Sequence, residues 1–198
     1  MPGRALFWLG LALAMGVPVI AAAFSPQLAW RDLVYIAAGF AGIFGMALML
    51  VQPVLAAGFA PGVALARARQ VHRWTGALVL LAVVVHVAAL WLTSPPDVID
   101  ALFFASPTPF APWGVAAMWA VLISAALALM RKRIGLRAWR LAHTGLAVVV
   151  VVGTVVHVLL IEGTMETVSK YVLSGLLVAA LVLAVARLRV WAALRRRA

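Results

Sequence analysis

Six stretches of this 198-residue chain stay apolar and uncharged for about the width of a bilayer, and no other feature limits its fold so tightly. They run from about Ala5 to Phe24, Leu33 to Ala57, Thr75 to Leu92, Trp113 to Met130, Leu141 to Ile161 and Val172 to Ala186. With 67% hydrophobic and only 11% charged residues, and a mean hydropathy of +1.14, the chain has no way to cover its apolar surface in water. Its solvent is lipid. The expected fold class is an all-α membrane protein, a six-helix transmembrane bundle forming a single domain over residues 1–198. The first run, preceded by Arg4 and followed by Ala21-Ala22-Ala23, also resembles a signal peptide. Its apolar stretch is longer than a usual signal core, so a retained helix is expected.

The gaps between the runs orient the bundle. Arg4 precedes the first run; Arg67, Arg69 and Arg73 separate the second from the third; Arg131, Lys132, Arg133, Arg137 and Arg140 separate the fourth from the fifth. Arg187, Arg189 and Arg195, Arg196 and Arg197 follow the sixth, so 14 of the 16 basic residues share one side. All five acids (Asp32, Asp97, Asp100, Glu162, Glu166) fall on the other. The positive-inside rule then puts both termini in the cytoplasm, as expected of a multi-pass protein of a bacterial inner membrane. The net charge of +11 is therefore a topological signal and not a nucleic-acid surface, because the arginines sit in short gaps between spans. The opposite loops are rich in proline, at Pro26, Pro95, Pro96, Pro107, Pro109 and Pro112, which ends helices. Without cysteine there is no disulfide, no thiolate metal site and no covalently attached haem.

Only four histidines are present, and they form two equal spacings: His72 and His86, His143 and His157, each fourteen residues apart. At 1.5 Å and about 100° per residue, fourteen residues advance about 21 Å and return to nearly the same helix face. The third and fifth spans both start on the cytoplasmic side, so His72 and His143 mark an inner level and His86 and His157 an outer one. The bland alternative is four polar side chains bonded within the bundle. Ionisable groups in hydrocarbon are rare and usually functional, which favours ligation. Zinc needs three or four ligands at one depth. Two imidazoles per level suit the two axial positions of a b-type haem iron, giving two haems stacked along the membrane normal.

Small residues lie one turn toward the bilayer centre from each histidine, at Gly76, Ala82, Ala147 and Gly153, and leave room for a macrocycle or serve helix packing. Haem propionates favour basic partners, for which Arg69, Arg73 and Arg140 are candidates at the inner level; Arg31 and Lys170 are the only bases outside. Thr75 and Thr144 are candidate partners for the second ring nitrogens. Trp30, Trp74, Trp91, Trp113 and Trp139 fall near span ends, as an interfacial belt does.

The segment Ala68-Arg69-Gln70-Val71-His72-Arg73-Trp74-Thr75-Gly76 leading to His86, with Arg137-Ala138-Trp139-Arg140-Leu141-Ala142-His143 leading to His157, resembles the ferric reductase-like transmembrane domain family. That family includes ferric reductases, the membrane part of NADPH oxidases and the haem subunit of the periplasmic methionine sulfoxide reductase system. The likeness extends over about residues 33–186. It implies two b haems, His72 paired with His143 and His86 with His157, and electron flow from inner to outer haem. The acceptor it implies outside the membrane is a periplasmic protein or ferric iron. This chain has no segment fit to bind a flavin or nicotinamide dinucleotide in a domain of its own. The resemblance therefore implies a cytoplasmic flavoprotein reductase, a loosely bound flavin such as FMN, or a quinol as donor. Phe103, Phe104 and Phe110 mark an outer loop that serves either as a docking surface or as an interfacial lid. Rival classes are a quinol-linked cytochrome b that anchors another oxidoreductase, and a non-haem transporter or assembly protein.

Overall fold

A computed structural model describes residues 2–189. The last basic cluster, Arg195 to Arg197, lies outside the described residues. Among them there are seven α-helices and no strand: α1 Pro2–Ala23, α2 Leu33–Ala56, α3 Leu65–Thr93, α4 Pro95–Leu102, α5 Ala111–Leu129, α6 Leu136–Leu160 and α7 Thr167–Leu188. All but α4 are long and apolar enough to cross a membrane, so the protein is a multi-pass membrane protein with six spans.

Two spans are longer than their apolar runs. α3 begins at Leu65, ten residues before the apolar run, and α6 at Leu136, five before. At 29 residues α3 is about 44 Å long, well beyond the roughly 30 Å of hydrocarbon. Hydropathy changes where a chain leaves lipid, whereas the helix ends where its hydrogen bonds do. His72 therefore stands in continuous helix, outside the apolar run.

The two ends of the bundle differ in chemistry. At the acid end Asp32 caps α2 through the amide of Val34 at 2.7 Å, and Glu166 caps α7 through those of Val168 and Ser169, both at 2.7 Å. At the basic end Arg67 and Arg137 occupy the first turns of α3 and α6, where a positive charge opposes the helix dipole and no side-chain cap is present. Their placement costs helix stability, so its purpose lies elsewhere. The basic end is tied together by Trp8, whose indole donates to the Pro61 carbonyl at 3.3 Å, and by Arg187 over the Phe59 ring at 5.2 Å. The Arg4 guanidinium lies where a Cβ on Gly62 would stand; with φ at +77°, only glycine suits that turn.

Two antiparallel hairpins dominate the packing. α2 lies along α3 and α5 along α6, while α3 and α6 meet at isolated points at most. Glycine permits each close approach: Gly45 faces the Ala82 methyl, and a Cβ on Gly153 would stand 2.8 Å from the Trp113 carbonyl oxygen. α1 and α7 close the far side of α2, which makes α2 the most buried helix; Met46, Leu173 and Leu177 are fully buried there. The outer faces carry exposed Leu9, Leu13, Leu81, Val84, Ile123, Val182 and Leu183, as lipid contact requires.

α4 is an addition to the sequence reading. The prolines at Pro95 and Pro96, expected to end helices, do follow the end of α3 at Thr93, and they also begin α4, since a proline in the first turn has no N–H to lose.

Candidate functional site

Each hairpin carries two histidines on one helix and their supports on the other. In the first, the His72 Nδ1 donates to the Gln52 carbonyl at 3.2 Å and the His86 Nδ1 to the Ala38 carbonyl at 2.7 Å. In the second, the His143 Nδ1 pairs with the Ser124 hydroxyl at 2.9 Å and the His157 Nδ1 donates to the Phe110 carbonyl at 2.9 Å. The supports at positions 38 and 52, and at 110 and 124, are also fourteen residues apart. Two antiparallel helices in register require that equality. The hairpins are thus two versions of one device.

Carbonyls inside a helix are normally screened by the side chain one turn further on. Ala38 and Phe110 are unscreened because glycine follows each by four residues. A Cβ on Gly42 would lie 3.1 Å from the His86 Nδ1, and one on Gly114 would lie 2.6 Å from the His157 Nδ1. Gly114 still donates its own amide to the Phe110 carbonyl at 3.2 Å, so that oxygen accepts twice. At the other level Thr75 accepts from the Gln52 side chain at 2.6 Å and donates to the Val71 carbonyl at 2.9 Å. Thr75 thus steadies the residue that holds His72 and bonds no ring itself.

The consequence is a fixed tautomer in three rings. A carbonyl only accepts, so Nδ1 carries the proton in His72, His86 and His157 and leaves the Nε2 lone pair free for a metal; the Ser124 hydroxyl serves either tautomer of His143, and no Nε2 has a hydrogen bond among the described residues. His72 and His143 face each other across the gap between hairpins, ring centres 6.3 Å apart and planes crossed at 76°. Two imidazoles sharing one axial metal, each with a bond of about 2 Å and a ring centre about 1 Å beyond its nitrogen, stand about 6 Å apart. The ring spacing is of the size that one shared metal would set. Among the described residues no three His, Asp, Glu or Cys gather.

Other expected residues fall differently. Arg69, Arg73 and Arg140 are exposed at the basic end and make no side-chain hydrogen bond among the described residues. At the acid end Lys170 donates to the Ile161 carbonyl at 2.7 Å and Arg31 lies 4.8 Å over the Tyr35 ring, so both bases are engaged locally. Gly153 and Ala82 pack within their own hairpins, so helix packing accounts for these two small residues, whereas a Cβ on Gly76 would make only an ordinary contact, 3.6 Å from the Gln52 side-chain oxygen. The ring partners were expected at Thr75 and Thr144; they are two bare carbonyls, the Gln52 carbonyl and Ser124. Ser124 had a visible signal, as the only hydroxyl in α5, and Gly42 and Gly114 had a fainter one. Phe110 joins the site through its carbonyl and its ring edge, 5.6 Å from His157, while Phe103 and Phe104 stay exposed.

Neither the curated proteins nor the solved structures contain a match to this chain. A family model does match: ferric reductase like transmembrane component, over residues 38–154. The match starts at Ala38, includes His72, His86 and His143, and stops three residues short of His157; it is narrower than the likeness expected over about 33–186. Because it spans more than half of the chain, the protein belongs to the ferric reductase-like transmembrane family.

Proposed function

We propose that this protein is a di-haem b-type electron carrier that moves electrons from a donor on the cytoplasmic side of a bacterial inner membrane to an acceptor outside. The observation that supports this most is the common arrangement of the four histidines: each bonded at Nδ1 to the partner helix of its own hairpin or the residue that starts it, with His72 and His143 facing each other across the gap between two matching hairpins. His72 and His143 would hold one haem at the basic end, and His86 and His157 the other at the acid end. When bound, such a group would supply a one-electron iron couple, with these histidines as the ligands that hold it.

The chain's own part is positioning. The Ala38, Gln52 and Phe110 carbonyls and the Ser124 hydroxyl each bond one imidazole at Nδ1 and would orient it toward the group it holds. The basic end, facing the cytoplasm by the positive-inside rule, offers exposed Arg69, Arg73 and Arg140 to an acidic flavoprotein surface, to FMN or to haem propionates. A quinol would instead reach the bundle from the bilayer. On the acid side the acceptor is a periplasmic protein or ferric iron.

Replacing His86 or His157 by alanine should remove the acid-end haem alone, halving the haem-to-protein ratio while the helical circular dichroism stays unchanged. A purified variant with its full haem complement would refute the assignment.

A further inference from the structure

Trp139 carries a feature that the histidine device leaves unexplained. Its ring is stacked on that of His143, centres 5.1 Å apart and planes within 10°. Its indole nitrogen is buried with no hydrogen-bond partner among the described residues. A buried N–H left unpaired is costly, so a donor kept in that position calls for an acceptor that the chain does not supply.

The place of Trp139 points to the acceptor. It precedes His143 by one helical turn, on the same face of α6 and about 6 Å nearer the basic end. An indole stacked parallel on His143 would lie beside any haem that His143 holds, and its buried N–H has no acceptor of the chain's own among the described residues. The one strong acceptor class a haem carries at its rim is carboxylate.

Resting on the two-haem reading above, we propose that Trp139 is a haem-binding residue with two roles: its stack fixes the plane of His143, and its indole N–H donates to a propionate of the basic-end haem. Removing a donor concentrates negative charge on that carboxylate and favours the ferric state. The substitution Trp139→Phe keeps the stack and deletes the N–H, whereas Trp139→Ala removes both.

The test uses purified protein in the His86→Ala background, which retains only the basic-end haem. Trp139→Phe is expected to lower that haem's midpoint potential while leaving its low-spin electron paramagnetic resonance spectrum in place; Trp139→Ala is expected to lower the potential and also shift the largest g value. A Trp139→Phe protein with unchanged potential overturns the donor role, and a Trp139→Ala protein with unchanged g values overturns the positioning role. If Trp139→Phe does not fold, the unaltered protein decides. Its ultraviolet resonance Raman marker for hydrogen-bonded indole must rise between the haem-free and haem-loaded forms, and identical spectra overturn the proposal. An unaltered chain that binds no haem at all overturns the two-haem reading itself.

Discussion

At the scale of single residues, the imidazoles are chemically ordinary and their supports are not. A histidine in a span is easy to see in a sequence, and the fourteen-residue spacings expose the pairing. A backbone carbonyl has no residue type, so the groups that orient the rings were legible only through the glycines that uncover them. Those glycines give a graded prediction. A methyl on Gly114 would stand 2.6 Å from the His157 ring, nearer than real Cβ contacts occur, whereas one on Gly42 would stand 3.1 Å from His86 and needs only a small shift. Gly114→Ala should therefore lose most of the acid-end haem and Gly42→Ala much less, both with unchanged helical content. The pyridine haemochrome assay reads the difference. Equal retention by both would remove the uncovered-carbonyl explanation.

At the scale of elements, hydropathy located all six spans and placed the acid-end starts of α2 and α5 within two residues, but it set the start of α3 ten residues late. It also passed over α4, whose eight residues are too few to span and whose prolines suggested a break. Helix caps were not read from the sequence, and one has a pH signature. The amides of Ser169 and Val168 hold the Glu166 carboxyl below its ordinary 4.5. A carboxyl lowered on folding stabilises its helix when ionised, above its unfolded value, and that contribution is lost as pH falls through the folded value. The first turn of α7 should therefore fray in acid, below about pH 4.5. The exchange protection factors of the Val168 and Ser169 amides, which remove the intrinsic pH dependence of exchange, should fall there in the unaltered chain, and Glu166→Gln should abolish that fall. Protection that does not change with acid in the unaltered chain would contradict the cap.

At the scale of the whole molecule, two hairpins related by near-identical spacing face each other with α1 and α7 on one flank. Charge asymmetry and hydropathy carried the span count and the two chemically distinct ends; the separation of α3 from α6 was not legible, because sequence periodicity marks a face without saying what fills the space before it. The gap between the hairpins, where His72 and His143 face each other, is where the proposed function resides. The most direct measurement is the optical spectrum and haem-to-protein ratio of the purified, unaltered chain in detergent. Two b-type haems per chain, low-spin in both oxidation states, is the predicted result. Colourless protein, or one haem bound with all four histidines intact, would contradict it.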